Sequence, residues 1–187
     1  SLHDALPISA FEDAMQQDLA WLGLDWDEVT RQSDNQSDYE DALDRLAEAS
    51  QLYPCSCSRA EIRASGVRTP DGGYRYDNRC RDRALSPGGW RASEEPLRAR
   101  LPEGTFTAVD LGGEELTQDP TAGFGDPIVR RRDGAIAYQL ACVVDDATSG
   151  VTRIVRGRDI MSNTATQAAI QASLGFGTPV YRHHMLL

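Results

Sequence analysis

The chain has 187 residues, of which 40% are hydrophobic, enough for one domain or for a domain that carries a small insertion. Its net charge of −10 disfavours general nucleic-acid binding, because affinity for phosphates depends on local cations. No apolar run approaches the roughly 20 residues that span a membrane, no secretion signal is visible and cysteines are few, so we expect a cytoplasmic protein without a membrane partner.

The positive charge is concentrated in the middle of the chain. Residues 53–100 carry ten arginines against six acidic residues, a net charge of +4, whereas the segments on either side are acidic. This block could contact a polyanion, although a solvated loop region accounts for the same charge and is favoured by charge alone. All nineteen basic residues are arginine, which excludes a mechanism that needs a lysine from this segment.

Two amphipathic helices are predicted near the beginning of the chain. Apolar residues recur at helical spacing from Phe11 to Leu22 and predict a helix that ends at Gly23. A second helix is predicted after Asp38. Its buried face is expected to contain Tyr39, Ala42, Leu43 and Leu46. Residues 1–8 match one reading frame of a sequencing adapter and are predicted to be an artefact.

The middle of the chain is less regular. From Tyr53 to about Gly89 the composition is that of a loop, rich in Arg, Gly, Pro and Cys. Residues 97–101 alternate as in a strand, and residues 106–111 are predicted to be its partner.

Regular structure is predicted again after residue 137. Residues 138–149 form a predicted helix, and residues 151–156 (VTRIVR) form a short β-branched strand. The inward face of that helix is expected to contain Leu140, Val143, Val144 and Ala147. Thr164 and Gln167 have the spacing of a capping box that opens a helix running to Leu174. This order of elements is typical of an open α/β sheet.

Three of the four cysteines, Cys55, Cys57 and Cys80, fall in the irregular segment. Zinc would supply order there, since structural sites are closed tetrahedra with thiolates at about 2.3 Å; three spare thiols are the alternative. A disulfide within Cys-Ser-Cys would be strained and is disfavoured in a reducing compartment. Tyr76, four residues before Cys80, is a nearby fourth donor, whereas Cys142 is predicted to be an ordinary buried thiol.

The stretch VRGRD lies between a predicted strand and a predicted helix. Ligands bind beyond the carboxyl ends of such strands, and helix N-termini favour anions, so Arg156 could bind a carboxylate through its planar fork. A salt bridge to Asp159 or Asp146 explains the same residue equally well. Asp145 and Asp146 diverge by about 100° on a helix, so we expect a solvated or structural role rather than an acid–base pair.

Five stretches resemble the glutamyl-tRNA synthetase group of class I aminoacyl-tRNA synthetases. They are LAWLGLDWDE (19–28), YEDALDRLAEASQLYPCSCSR (39–59), YDNRCR (76–81), RRRDGAIAYQLACVVDDATSGVTRIVRGRDIMSNTATQ (130–167) and YRHHMLL (181–187). The likeness is closest to the truncated branch of this group, the glutamyl-Q tRNA(Asp) synthetases.

The resemblance implies a Rossmann-type nucleotide-binding core interrupted by a small zinc-stabilised insertion. The core would comprise 9–52 and 126–187, and the insertion 53–125. The family activates glutamate with ATP, and its truncated branch transfers glutamate to queuosine in the anticodon of tRNA(Asp). An ordinary glutamyl-tRNA synthetase, which charges tRNA(Glu), is the nearest alternative and is favoured by SNT at 162–164. A non-catalytic zinc module that binds RNA is an alternative of another class.

The resemblance also implies site residues. The zinc ligands would be Cys55, Cys57, Tyr76 and Cys80, with Tyr74 as an alternative because the linker after Cys57 is longer than usual. Glutamate would contact Tyr138 and Arg156. Both ATP signatures of the family would lie outside residues 9–187, so no catalytic residue is assigned and the segment alone is expected to be inactive. A monomer is expected.

Overall fold

The computed structural model describes residues 8–69 and 71–186. Most of the predicted adapter segment 1–8, namely residues 1–7, lies outside the described residues. The chain divides into two compact units, one ending at Asp34 and the other beginning at Asn35. Within the described residues, every helix is too short or too polar to cross a membrane.

The first unit consists of one α-helix, an irregular segment that follows it and a short 3-10 helix (Gln32–Asp34). Helix α1 (Ile8–Trp21) confirms the helix predicted there, and Gly23 takes a left-handed φ of 75° just beyond its end. The predicted apolar face is not buried, since Phe11 and Met15 are 60% and 57% exposed. The helical spacing therefore predicts the helix correctly but does not predict whether its apolar face is buried.

The second unit holds the remaining helices and strands of the described chain. The α-helices are α2 (Gln36–Glu48), α3 (Arg59–Ala64), α4 (Pro120–Gly123), α5 (Tyr138–Thr148) and α6 (Thr164–Leu174), and Trp90–Ala92 and Arg158–Asn163 form short 3-10 helices. The strands are β1 (Leu52–Pro54), β2 (Leu97–Ala99), β3 (Phe106–Val109), β4 (Glu115–Gln118), β5 (Ile128–Arg130), β6 (Arg153–Gly157) and β7 (Val180–His184).

The strands of the second unit form three small sheets. Strands β1, β2 and β5 make an antiparallel sheet with β2 in the centre, β3 and β4 form a hairpin, and β6 pairs in parallel with β7. The predicted pairing of 97–101 with 106–111 is therefore wrong. Strand β3 instead pairs with the adjacent β4 across a tight turn at Gly113 (φ 83°), because closing so short a loop costs little entropy.

The core of this unit lies where α2, α5 and α6 pack together. The predicted buried face of α2 is confirmed, with Tyr39, Ala42, Leu43 and Leu46 each at most 2% exposed. In α5 the inward residues are Leu140, Val143 and Val144, whereas Ala147 is only partly buried. The Tyr39 hydroxyl donates to Asp145 Oδ1 at 2.6 Å, which gives Asp145 the structural role predicted for it.

Strand β6, helix α6 and strand β7 form a parallel β–α–β unit. The cross-strand register places Arg156 beside His183. Helix α6 ends where Gly175 adopts a left-handed φ of 68°, a conformation that favours glycine. The predicted capping box does not form, because Asn163 precedes the helix and both Thr164 and Gln167 bind Arg156 instead.

Truncating one core residue of α2 should measure how much this helix contributes to the free energy of unfolding. Replacing Leu43, which is fully buried, by Ala removes transfer energy and leaves a cavity, so we expect the free energy of unfolding to fall by about 2–5 kcal/mol. Leu111→Ala, at a residue that is 49% exposed, is the matched control and should cost less than about 1 kcal/mol. Urea denaturation checks both variants, and equal losses would contradict the burial of Leu43.

Candidate metal centre and substrate site

Two of the three clustered cysteines, Cys55 and Cys57, are positioned by β1 and by the start of α3. Strand β1 runs directly into Cys55, whose backbone N–H donates to Pro96 O at 2.9 Å. Helix α3 begins right after Cys57 with a capping box, in which Ser58 and Glu61 each bind the other's backbone N–H. A strand end and a helix start thus hold both thiols of Cys-Ser-Cys, an arrangement that the loop composition of the segment did not predict.

Cys55, Cys57 and Cys80 come together in space, with their sulfur atoms all within 4.8 Å of one another. The Cys57 and Cys80 sulfurs are 3.6 Å apart, and the Tyr76 hydroxyl oxygen is 3.4 Å from the Cys55 sulfur. The Cys80 backbone N–H also donates to that hydroxyl at 3.0 Å. Tyr74 is engaged elsewhere, with the Arg68 guanidinium 4.2 Å above its ring.

Two of these distances match the edges of a tetrahedral metal site. Metal–sulfur bonds of about 2.3 Å and a metal–oxygen bond of about 2.0 Å imply tetrahedron edges of roughly 3.8 Å between sulfurs and roughly 3.5 Å between sulfur and oxygen. The observed separations of 3.6 Å and 3.4 Å are close to both. Thiolates are soft donors that suit zinc rather than magnesium or calcium, so this group of side chains could hold a zinc ion.

The electrostatics around the cluster are uneven. Burial raises the pKa of Cys57 to about 12, and the neighbouring thiols add to that rise. Burial also opposes ionisation of Cys55, but hydrogen bonds from Tyr76 and Arg98 outweigh it and the pKa falls below its ordinary value. Arg98 is 5% exposed, and its guanidinium carbon lies 3.6 Å from the centre of the Tyr76 ring. A fixed positive charge therefore stands behind a site whose ligands would carry excess negative charge.

Asp126, a residue that the sequence did not single out, ties the metal region to the rest of the unit. Its carboxylate is fully buried and accepts the Tyr53 hydroxyl at 2.9 Å and the Leu101 N–H at 3.0 Å, while its own N–H donates to Asn78 at 2.7 Å. Burial raises the pKa of this carboxyl group, although the bonds from Leu101 and Tyr53 oppose the rise. Its only sequence signal is a single acid in the stretch GFGDP.

Gly125 is required for the close approach of two chain segments. Its φ is 80°, and a Cβ atom there would lie 2.0 Å from the carbonyl oxygen of Tyr76. The adjacent Phe124 carbonyl accepts the Tyr76 N–H at 3.0 Å. The position of Tyr76 therefore depends on a residue without a side chain.

Gly125→Ala should displace the segment that carries Tyr76. We expect a loss of at least about 2 kcal/mol in the free energy of unfolding, because a left-handed alanine costs about 1–3 kcal/mol and the backbone overlap adds to it. Gly123→Ala is the matched control, since a Cβ at Gly123 meets nothing within 4 Å. Urea denaturation of both variants checks this, and a neutral Gly125→Ala would contradict the close approach.

The second candidate site lies at the carboxyl end of β6, where Arg156 faces the first turn of α6. Its Nη1 donates to Gln167 Oε1 at 2.6 Å, its Nη2 to Thr164 Oγ1 at 2.6 Å, and its Nε to His183 Nε2 at 3.1 Å. The salt bridge to Asp159 or Asp146, which the sequence left open, is not among the ion pairs of the described residues. The charge of Arg156 does act on Asp146. Burial raises the pKa of Asp146 and the charge of Asp145 adds to the rise, whereas the charge of Arg156 opposes it.

Tyr138 opens α5 and reaches the same neighbourhood as Arg156. Its side chain is 50% exposed. Burial raises the pKa of its hydroxyl and the Cys142 thiol adds to the rise, whereas Arg156 and the Gln167 amide oppose it. Tyr138 and Arg156 thus share Gln167 as a neighbour, although they are far apart in sequence. Cys142 lies here, outside the cysteine cluster, and burial raises its pKa.

Behind Arg156 lies a buried hydrogen-bonded pair of side chains that the sequence did not predict. His183 Nδ1 is 2.5 Å from Asp110 Oδ2, and both side chains are fully buried. Asp110 also accepts the backbone N–H groups of His183 at 3.2 Å and Gly112 at 2.5 Å. These bonds, chiefly that from His183, outweigh burial and lower the pKa of Asp110. The only sequence signal was the histidine pair in YRHH, which follows no recognisable spacing.

The fold is that of a class I tRNA synthetase catalytic domain. The family model for tRNA synthetases class I (E and Q), catalytic domain, matches residues 7–187, and the chain belongs to this family. The glutamyl-Q tRNA(Asp) synthetase of Geobacter sulfurreducens is 43% identical over 181 residues, which cover 94% of this chain and 56% of that relative. The family predicted from the sequence is therefore confirmed.

Two further comparisons give the extent of the likeness. The glutamate–tRNA ligase of Nitratidesulfovibrio vulgaris is 39% identical over 182 residues, which cover 92% of this chain and 37% of the ligase. The crystal structure of a glutamate-tRNA synthetase from Elizabethkingia anophelis has a TM-score of 0.76 over the whole chain at 20% identity, a likeness of fold. The chain spans a little over half the length of several glutamyl-Q relatives.

Proposed function

We propose that the chain is the glutamate-binding part of an ATP-dependent synthetase that forms glutamyl-adenylate and transfers glutamate to tRNA. The observation that carries this proposal is the half-buried Arg156 fork at the carboxyl end of β6, in a chain of the class I (E and Q) family. An arginine in that place can bind a carboxylate through two parallel hydrogen bonds.

The arrangement around Arg156 suits the side chain of glutamate. A guanidinium has five N–H donors, and among the described residues three of them are directed to Gln167, Thr164 and His183. Two remain for a substrate carboxylate, one on each terminal nitrogen. The N-terminus of α6 adds its partial positive charge on the same side. Tyr138, half exposed beside this group, would orient the bound amino acid.

We propose tRNA(Asp) as the acceptor, with queuosine in its anticodon as the base that receives glutamate. Support comes from the relatives named glutamyl-Q tRNA(Asp) synthetase, which are 39% to 43% identical in three cases. The ordinary glutamate–tRNA ligase at 39% identity keeps tRNA(Glu) as the second candidate. Glutamate and ATP are common to both, and we propose that the enzyme acts as a monomer.

The acceptor is decided by charging assays on the full-length product of the gene. We expect radiolabelled glutamate to be transferred to queuosine-containing tRNA(Asp) and not to tRNA(Glu). The matched control is tRNA(Asp) that lacks queuosine, which should accept none. Charging of tRNA(Glu) alone would identify an ordinary glutamyl-tRNA synthetase, and binding of RNA without any charging would favour the non-catalytic zinc module.

We also propose that Cys55, Cys57, Tyr76 and Cys80 hold a structural zinc ion. The support is that the three sulfurs lie within 4.8 Å of one another and that the Cys57–Cys80 and Cys55–Tyr76 separations match the edges of a tetrahedron. Zinc there would order the segment 53–125, which we assign as an insertion in the catalytic domain, and it would take no part in the chemistry. The arginines of this segment would then face the tRNA.

Metal content tests this ligand set. Purified protein should contain about one zinc ion per chain by inductively coupled plasma mass spectrometry, and Cys80→Ser should lose most of it because a closed site loses one of four ligands. Cys142→Ser removes a thiol outside the cluster and should keep the full metal content. Metal-free wild-type protein, or equal loss in the two variants, would refute the site.

A further inference from the structure

We propose that Asp110 and His183 are positioning residues that orient Arg156 for the carboxylate of glutamate, an inference that rests on the proposed function. His183 stands beside Arg156 in the parallel register of β6 and β7. Asp110 follows β3 and reaches His183 across 73 residues of sequence. The three side chains thus form one chain of carboxylate, imidazole and guanidinium, and its first two members are fully buried.

The hydrogen-bond partners allow only one tautomer of His183. The Arg156 Nε–H can only donate, so the Nε2 atom 3.1 Å away must accept. The proton of the neutral ring therefore sits on Nδ1 and is donated to Asp110 Oδ2 at 2.5 Å. The Thr164 hydroxyl, which accepts from Arg156, lies 3.4 Å from the same Nε2 and can donate to it. Asp110 holds the tautomer that lets His183 accept from Arg156.

The consequence is a fixed direction for the substrate-facing edge of the guanidinium. The planar guanidinium of Arg156 is held at three points: its Nε by His183, its Nη2 by Thr164 and its Nη1 by Gln167. Tyr181 lies under it, with the Arg156 carbon 4.9 Å from the ring centre, and the Tyr181 ring is nearly parallel to the His183 ring. A planar group held at three points and on one face can turn little, which pre-organises the remaining donors.

The tautomer can be measured without any substrate. Long-range ¹H–¹⁵N spectra of the 187-residue chain at neutral pH should show His183 with a protonated Nδ1 and an unprotonated Nε2, assigned by the loss of its signals in His183→Gln. The Arg156 Nε–H signal should persist in wild type and in His183→Gln, whose amide oxygen can still accept. It should broaden in His183→Leu. A proton on Nε2 would overturn the proposal.

The effect on glutamate is measured in the full-length enzyme. His183→Leu should raise the KM for glutamate at least tenfold, because Arg156 loses an acceptor and turns, with kcat at saturating glutamate changed less than about threefold. His183→Gln should stay within about threefold of wild type, and Asp110→Asn should lie between the two. His184→Leu, at the exposed neighbouring residue, is the matched control and should leave KM unchanged.

The alternatives give different results. A merely structural role would lower kcat through a smaller folded fraction and leave KM unaltered, which would overturn the positioning role. If the wild-type enzyme transfers no glutamate, the proposed function fails, and the NMR spectra still decide whether Asp110 and His183 hold Arg156.

Discussion

A half-buried guanidinium must find acceptors for its N–H groups, and meeting this requirement at Arg156 organises much of the second unit. Its acceptors come from β7 and from the first turn of α6, so the parallel pairing of β6 with β7 and the docking of α6 are both needed. Leaving one such donor unpaired in the interior would cost about 1–3 kcal/mol or more for a charged group. The same bonds that stabilise the β–α–β unit therefore also fix the direction of the Arg156 guanidinium.

The region around the three clustered cysteines is stabilised differently, because it buries little apolar surface. Its small cluster consists of Tyr53, Cys55, Tyr76 and Cys80, with Cys57 and Ile62 packed against it. Such a cluster is too small to order a long segment by hydrophobic burial, so hydrogen bonds contribute to the order, and the proposed zinc ion would add coordinate bonds. Asp126 contributes on the protein side by joining β1, Asn78 and Leu101 through one buried residue.

Local patterns in the sequence predicted the helices and the grouping of three cysteines. Side-chain contacts between residues far apart in sequence could not be predicted in this way. The face of α2 was readable because its apolar residues repeat at helical spacing, and Cys55, Cys57 and Cys80 were readable because cysteine is rare here. Thr164 and Gln167 were misassigned to a capping box because their spacing is right for one, but a tertiary partner, Arg156, competes for both side chains. Asp110 and His183 carry no local pattern and acquire meaning only when β7 is placed beside β6.

The segment from Asp110 to Asp126 links the two sites. Asp110 at one end binds His183 behind the arginine fork, and Asp126 at the other end binds Tyr53 beside the cysteines, while α4 between them contacts α6. Both ends are anchored by buried carboxylates whose bonds have definite directions, so neither can shift without breaking several hydrogen bonds at once. The region that we propose as an insertion is therefore not an independent appendage, because its last stretch also supports His183 and Arg156 in the core.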